Sequence, residues 1–349
     1  MSVRIRLLLA IATLVPLFGC SKPTVEPVVG ETLGIRGAGA TFPAPLYKKW
    51  IEEYQTAFPD RHVAYAATGS GDGVHQFIAE TVDFGGSDAG LLPDEEARVT
   101  RGAVTIPVTG GVLVLAYNLP NLTEPLKLSR RVYVDIFLGK IKRWNDPRIA
   151  AENPDLPLPK LDIVVVARQD SSGTTYAFTN HLSSISDDWK SDGPGTGKLI
   201  DWPGSTMLAD GNGGVAGQIQ RSHGSIGYVQ YGIAAHAKLQ MASLENRAGK
   251  FITPNGDSGM QTLENADLPE NLQAFFPDPK GEDSYPIVTL TWLLLYEKYA
   301  DAEKAEAVEH FVTWCLEAGQ NYSDSLGYIP LSPSVLAAST KALRRVSNE

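Results

Sequence analysis

From about residue 35 onward, short apolar runs alternate with stretches of helical period. Val63–Ala67, Val104–Val108, Val112–Asn118, Ile163–Ala167 and Ile226–Val229 read as strands, being short runs rich in β-branched residues. Pro43–Phe58 reads as a helix, because Leu46, Trp50, Tyr54 and Phe58 recur one turn apart on a single face. Gly73–Thr81, Arg131–Leu138, Thr174–Ser183, Gly213–Arg221 and Ala302–Ala318 carry the same period. Strands alternating with helices place the chain in the α/β class.

One run stands apart. Leu7–Phe18 is uncharged and follows Arg4 and Arg6. It is too short to cross roughly 30 Å of hydrocarbon and fits the apolar core of a secretory signal. Leu17-Phe18-Gly19-Cys20 resembles the lipobox of bacterial lipoproteins, with Phe18 bulkier than the small residue usual there. Residues 1–19 are expected to be removed as a signal peptide and Cys20 to be lipidated, anchoring the chain to a lipid bilayer. Residues 20–33, with Pro23 and Pro27, are expected to form a flexible tether. The alternative is an ordinary cleaved signal with an incidental cysteine. Cys315 falls on the apolar face of Ala305–Ala318 with Val308, Phe311 and Val312, and reads as a buried small hydrophobe.

A chain of 349 residues, 43% hydrophobic and 20% charged, can bury two cores or one large one. Its 33 glycines and 23 prolines are spread out, which excludes a collagen-like chain, a coiled coil and wholesale disorder. Thirty Lys and Arg against 40 Asp and Glu give a net charge of −10, and loss of Arg4 and Arg6 would make it −12. Such a charge excludes a protein that coats nucleic acid or grips anionic lipid by bulk attraction. Taken alone, it would also argue against an anionic ligand.

Three helix starts point the other way. Ala38-Gly39-Ala40-Thr41-Phe42-Pro43, Thr68-Gly69-Ser70-Gly71-Asp72-Gly73 and Asp170-Ser171-Ser172-Gly173-Thr174 each precede a helical stretch, and Arg168 lies beside the third. Small and hydroxyl-bearing residues there leave backbone N–H groups facing outward at the positive end of a helix, which suits an anion. One such loop is commonplace, since Ser and Thr are good N-caps. Three, with an arginine, are a pattern.

These segments belong to a larger set. GAGATFPAPLYKKW (37–50), TGSGDGVHQFIAETVDFGGSDAGL (68–91), LGKIKRWNDPRIA (138–150), RQDSSGTTYAFT (168–179), GSIGYVQYGIA (224–234) and KGEDSYPI (280–287) together resemble the periplasmic phosphate-binding protein of the phosphate ABC transporter. The likeness runs from residue 35 to about 335. It implies a type II, two-lobe periplasmic-binding-protein fold of the α/β class, with the ligand in the interdomain cleft. Lobe I would comprise 34–115 and 285–349, and lobe II 116–284. The implied partners are inorganic phosphate and the membrane permease subunits of an ABC transporter, outside the cytoplasm, with no cofactor, metal or catalysis. Residue by residue, the amides of Ala40, Thr41 and Phe42 and the Thr41 hydroxyl would donate to phosphate. Ser70 would donate through hydroxyl and amide, and Asp88 would accept the phosphate proton. Arg168 would supply the one full positive charge, held by Asp170, and Ser172, Gly173 and Thr174 would complete the cage. Asp72, where some members carry Ser or Gly, is expected to face solvent and cap its helix.

The implied selectivity follows from hydrogen-bond types. Phosphate keeps a proton at neutral pH and sulfate keeps none, so a carboxylate at Asp88 gains a hydrogen bond from one and meets only lone pairs on the other. Arsenate shares the protonation of phosphate and would pass this filter. Other signals carry less. Gly256-Asp257-Ser258-Gly259 is similar to a trypsin-like nucleophile segment, but without that fold it reads as a turn. Gly193-Pro194-Gly195-Thr196-Gly197-Lys198 fails the P-loop pattern, since Leu199 stands where Ser or Thr is needed. The six histidines lack metal-ligand spacing, and Trp144, Trp189, Trp202 and Trp292 read as core aromatics. The competing functions are a phosphohydrolase built on the same anion cage and a phosphate scavenger or sensor that feeds no transporter.

Overall fold

The apolar runs pair into one sheet and the helical stretches pack against it. The computed structural model describes residues 34–122, 124–263 and 268–348, so the expected signal segment, Cys20 and the tether lie outside the described residues. In chain order the elements that position the site are β1 (Gly34–Gly39), α1 (Ala44–Ala57), β2 (His62–Ala67), α2 (Ser70–Ile78), β3 (Phe84–Ser87), β4 (Ala103–Tyr117) and α3 (Arg130–Phe137). They continue with β5 (Val164–Arg168), α4 (Gly173–Ile185), β6 (Thr206–Ala209), α5 (Gly211–Arg221), β7 (Ser225–Gln230), β8 (Val288–Tyr296) and α6 (Ala302–Leu316).

The strand order is β2-β1-β3-β8-β4-β7-β5-β6, and a short strand, Gln240–Met241, also pairs with β4. Strand β4 joins two half-sheets. Its residues Ala103–Val112 lie antiparallel to β8, and Leu113–Tyr117 antiparallel to β7. Two strands are expected from the sequence where this one runs through, because Gly110-Gly111 looks like a break. Those glycines instead make room: a Cβ at Gly111 would lie 2.7 Å from the Phe42 ring, and one at Gly110 2.3 Å from Leu263. Pro107, with no N–H to give, sits opposite Trp292, where the register with β8 slips.

The expected helices form with their ends moved by a few residues, and α1 buries Leu46, Tyr47, Trp50 and Tyr54 as its period requires. The indole of Trp50 donates to the Gly319 carbonyl at 2.7 Å. The period assigns no strand to β1, β3 or β8. Glycine supplies half of β1 and of β3, which reads as loop. β8 is buried along its whole length, its threonines Thr289 and Thr291 included, and Trp292–Tyr296 is a continuous apolar run, so it shows no half-exposed strand pattern.

Part of the expected lobe II packs on the first half-sheet. The Trp292 indole donates to the Leu272 carbonyl at 2.8 Å, and the Phe275 and Trp292 rings lie 5.7 Å apart. The chain then turns back to the second half, where Asp278 takes a two-pronged pair from Arg130 at 2.8 and 3.0 Å. The described residues form a single compact unit, with the half-sheets in direct contact. Gly71 N–H donates to the Ser171 carbonyl at 2.9 Å, and Lys198 pairs with Glu95 at 2.7 Å.

The glycines of β1 generate a stability prediction. A Cβ on Gly37 would overlap the Phe84 ring at 2.1 Å, so Gly37→Ala should cost about 1–3 kcal/mol. Gly213, in α5, has nothing within 4 Å of its Cβ position, and Gly213→Ala should gain about 0.5–1 kcal/mol. Urea unfolding of the two variants should give midpoints shifted in opposite directions; a shared direction would refute the packing argument.

Candidate functional site

Strands β1 and β3 run parallel, with Gly39 opposite Gly86, so their following loops open on one edge of the sheet. Helix α2 fits closely behind them, since a Cβ on Gly73 would lie 2.3 Å from Gly39 Cα. This edge carries Thr41, Ser70 and Asp88. Asp88 is 1% exposed, and its amide donates to Ser70 Oγ at 3.2 Å. Its Oδ1 accepts from Thr291 Oγ1 at 2.8 Å, a residue of β8 that the sequence reading did not single out. Thr291 thereby holds one carboxylate oxygen, while Oδ2 is turned toward the second half.

From the second half-sheet, β5 ends at Arg168, which is buried. Its guanidinium gives Nε to Asp170 Oδ1 at 2.7 Å and Nη2 to Asp170 Oδ2, a two-pronged pair. Gly211 N–H donates to the same Asp170 Oδ1 at 3.0 Å, tying α5 to this pair. Helix α4 begins at Gly173, capped by Ser172, whose Oγ accepts from Thr175 N–H at 3.1 Å.

The two sets converge. Thr174 Oγ1 donates to Asp88 Oδ2 at 3.2 Å and accepts from Arg168 Nη1 at 3.4 Å. A Cβ on Gly173 would lie 2.6 Å from Ser70 Oγ and 2.8 Å from Asp88 Cβ, so only glycine allows this approach. Asn212, the second residue of α5, joins the halves again: its amide and its Nδ2 each donate to Thr41 Oγ1 at 3.1 Å. Thr41, Ser70, Asp88, Arg168, Asp170, Ser172, Gly173 and Thr174 therefore share one buried cluster, with Thr291 and Asn212 added. The cluster holds one arginine against two carboxylates, so an anion there would rest largely on neutral donors.

Some expectations need correction. The Ala40 amide is bonded to the Gly86 carbonyl at 2.9 Å and is not free for a ligand. Phe42 buries its ring against Tyr328, and its carbonyl accepts from Tyr328 Oη at 2.7 Å, so only its amide is left for the expected role. The Ser172 amide is given to the Lys198 carbonyl at 2.7 Å, which leaves its hydroxyl proton. Helix α2 starts at Ser70 with Gly69 as N-cap, so Asp72 does not cap it; Asp72 is exposed and accepts from Gln76 Nε2 at 2.6 Å.

The discounted signals behave as packing or turn residues. Ser258 Oγ donates to the Asn255 carbonyl at 3.1 Å within a turn, and Lys198 is spent on Glu95. Trp144, Trp189 and Trp292 are fully buried with their indoles bonded to carbonyls, and Trp202 packs among Phe137, Phe178 and Tyr228. Cys315 is a buried thiol, which burial pushes well above its ordinary pKa. Among the described residues no cluster of His, Cys, Asp and Glu has metal-binding geometry.

Burial dominates the titration of Asp88. It pushes the carboxyl up to about 6, against the opposing effects of Thr291, Arg168, Thr174 and Ser70. For Asp170, burial also acts upward, but the hydrogen bonds and charge of Arg168 outweigh it and hold the carboxyl below its ordinary value. A carboxyl raised by folding favours the folded state fully below its unfolded pKa, and that contribution is lost as pH rises through about 6. The ionised Asp88 thus costs about 3 kcal/mol above that pH. Asp88→Asn should stabilise the ligand-free protein by about 1–3 kcal/mol near neutral pH and by little near pH 4. Unfolding midpoints at the two pH values test this, and equal midpoints near neutrality would refute it.

The same architecture recurs in known proteins. The family model of the PBP superfamily domain matches residues 21–318. The phosphate-binding protein PstS of Haemophilus influenzae is 40% identical over 307 residues, covering 87% of this chain and 90% of the relative. That of Methanocaldococcus jannaschii is 35% identical over 342 residues, covering 90% and 87%. Among solved structures, a periplasmic phosphate-binding protein bound with phosphate (PfluDING) superposes with a TM-score of 0.75 at 22% identity, covering 87% and 92%. The phosphate-binding protein of Stenotrophomonas maltophilia gives 0.72 at 21%, covering 88% and 93%. At that identity the structures establish the shared two-lobe fold, and the closer sequence relatives establish the lineage: the chain belongs to the PstS family of phosphate-binding proteins.

Proposed function

We propose that this protein captures inorganic phosphate between its two half-sheets and delivers it to the permease subunits of an ABC-type phosphate importer. The observation that carries the reading is the buried cluster, in which donors from both half-sheets surround one carboxylate, Asp88, whose Oδ2 accepts only the Thr174 hydroxyl at 3.2 Å. Thr41, Ser70, Arg168 and Ser172 donate through side chains, Thr174 does so by turning its one hydroxyl proton from Asp88 Oδ2 to the ligand, and Phe42, Ser70, Gly173 and Thr174 donate through amides. Asp88 takes the one proton of the dianion. Sulfate offers no such proton, and a buried carboxylate against its lone pairs is unfavourable by several kcal/mol. Asp170 holds the Arg168 fork in place. The half-sheets act as the closing lobes, joined through β4 and the return at β8.

The reading is of a binding protein rather than a hydrolase. The site hydroxyls are engaged as caps and bridges: Ser172 caps α4 and Thr174 spans Asp88 and Arg168. The protein works outside the cytoplasm, held to a membrane through lipidated Cys20 by the 20–33 tether, as the signal-like run before Cys20 supports.

Calorimetric titration of the protein begun at Thr32 should give micromolar or tighter phosphate binding, with sulfate weaker by roughly a thousandfold or more. Asp88→Asn should narrow that gap. No phosphate binding would sink the reading, and an unchanged gap would remove Asp88 from selection. Cys20→Ser in the full chain should move the protein from the membrane to the soluble fraction; retention on membranes would overturn the anchor.

A further inference from the structure

One segment of the chain holds both half-sheets at once. Residues 272–278 read Leu-Gln-Ala-Phe-Phe-Pro-Asp and form neither helix nor strand. On the first half, the Leu272 carbonyl accepts from the Trp292 indole, and Gln273 Oε1 accepts from the Leu91 N–H, both at 2.8 Å. Gln273 Oε1 also fills the space beside Gly90, where a Cβ would lie 2.0 Å from it. This tie grips the turn that directly follows Asp88. On the second half, Asp278 takes the two-pronged pair from Arg130. The Pro277 carbonyl accepts from His181 Nδ1 and from Ser184 Oγ, both on α4. A carbonyl can only accept, so His181 Nδ1 carries the proton and Nε2 takes the Tyr133 hydroxyl at 2.8 Å. Burial lowers the His181 pKa to about 4, so the ring stays neutral in this role near neutral pH.

Ala274, Phe275 and Phe276 alone separate the two sets of ties, and such a link reaches about 3.5 Å per residue. Phe275 stands in its middle. Its ring centroid lies 5.7 Å from that of Trp292 on β8 and 5.3 Å from that of Tyr176 on α4. Trp292 follows Thr291, which holds Asp88, and Tyr176 lies two residues past Thr174. One ring cannot follow both partners when the half-sheets part. We propose that residues 272–278 form a clasp across the half-sheets, in which Phe275 is a positioning residue that closes on Trp292 and slows release of the ligand without touching it. The inference rests on the phosphate reading above and deepens it.

The strengths of the ties decide which contact breaks. Those to the second half include a charged two-pronged pair, whereas those to the first are neutral hydrogen bonds, each about half as strong. Phe275 therefore stays with the second half, seated on Tyr176, and its contact with Trp292 exists only while the half-sheets are together. A contact made in one arrangement and absent from the other shifts the balance by its own free energy. The ligand enters when the half-sheets are apart, so loss of this contact leaves entry unchanged and speeds exit. Asp278 acts through the same contact, because without its pair to Arg130 the ring no longer ties Trp292 to the second half.

The test combines phosphate calorimetry with release of radiolabelled phosphate, chased by unlabelled phosphate. It uses the full chain as wild type, Phe275→Ala, Phe275→Leu, Asp278→Asn and the Phe275→Ala, Asp278→Asn double variant. Phe275→Ala should bind roughly five- to fiftyfold more weakly, with release faster by the same factor and association within about twofold of wild type. Phe275→Leu keeps apolar bulk and carries the test if the alanine variant does not fold; it should show the same split with a loss of at least about threefold. Asp278→Asn should also speed release, and the double variant should lose less than the product of the two single losses. A residue that only filled space would lower the unfolding midpoint of the ligand-free protein and leave the release rate as it was. Failure of wild type to bind phosphate would defeat the functional reading, and the clasp with it. Where wild type binds, unchanged release in the Phe275 variants, losses carried by association, or multiplicative losses in the double variant would overturn the clasp alone.

Discussion

A carboxylate buried where an anion is to bind is the constraint that orders this structure. Asp88 is almost fully enclosed, and burial alone would drive it neutral. What keeps it near ionisation is a set of neighbours drawn from across the fold: Thr291 from β8, Ser70 from α2, Thr174 from α4 and the charge of Arg168. Each depends on an element being in register. Thr291 meets Asp88 because β8 pairs antiparallel with β3, and Thr174 reaches it because Gly173 lacks a side chain.

The same constraint reconciles an acidic chain with an anionic ligand. Arg168 is the only arginine or lysine in the cluster, and Asp170 already takes a two-pronged pair from it. On the proposed reading the attraction for phosphate would therefore come mainly from hydroxyls and helix-terminal amides, which are oriented dipoles rather than net charges. A net charge of −10 spread over the surface acts at long range and is screened within about 10 Å at ordinary ionic strength. The buried dipoles act at contact and are not. Binding should accordingly depend little on salt, and bulk charge is a poor guide to the sign of the ligand.

Much of this is legible in the sequence, and the exceptions have physical causes. Helix α1, the core tryptophans and Cys315 follow from apolar period, because burial on one face leaves a period behind. The charged and hydroxyl members of the cage stand out because three such loops each precede a helix and Arg168 lies beside the third. Strands β1 and β3 are hidden by the glycines that let Phe84 and the β3 backbone approach β1. The Ala40 amide looks free because a sequence does not say which strand edge will take it. Thr291 sits inside a buried strand, and Asn212 just before the helical stretch Gly213–Arg221 with no charge of its own, so neither announces itself. Residues that act through other residues leave no local signature, only a place in the folded network.

That network also bears on closure. Near the ligand site the half-sheets meet through polar pairs: Thr174 with Asp88, Asn212 with Thr41, the Gly71 amide with the Ser171 carbonyl, and Lys198 with Glu95. Water can replace the neutral ones at a small net cost, about 0.5–1.5 kcal/mol each, and the two that involve a charged group at about 1.5–3 kcal/mol. A polar seam of this kind parts more readily than an apolar one, because water can take the place of its partners. A ligand then shifts the balance only by what it binds better in one state. Because Thr41, Ser70 and Asp88 come from one half and Arg168 with the α4 terminus from the other, the full set of contacts exists only when the halves meet. On the proposed reading closure and recognition would be one event, with Asn212, which bridges Thr41 and Thr174, at the seam between the halves.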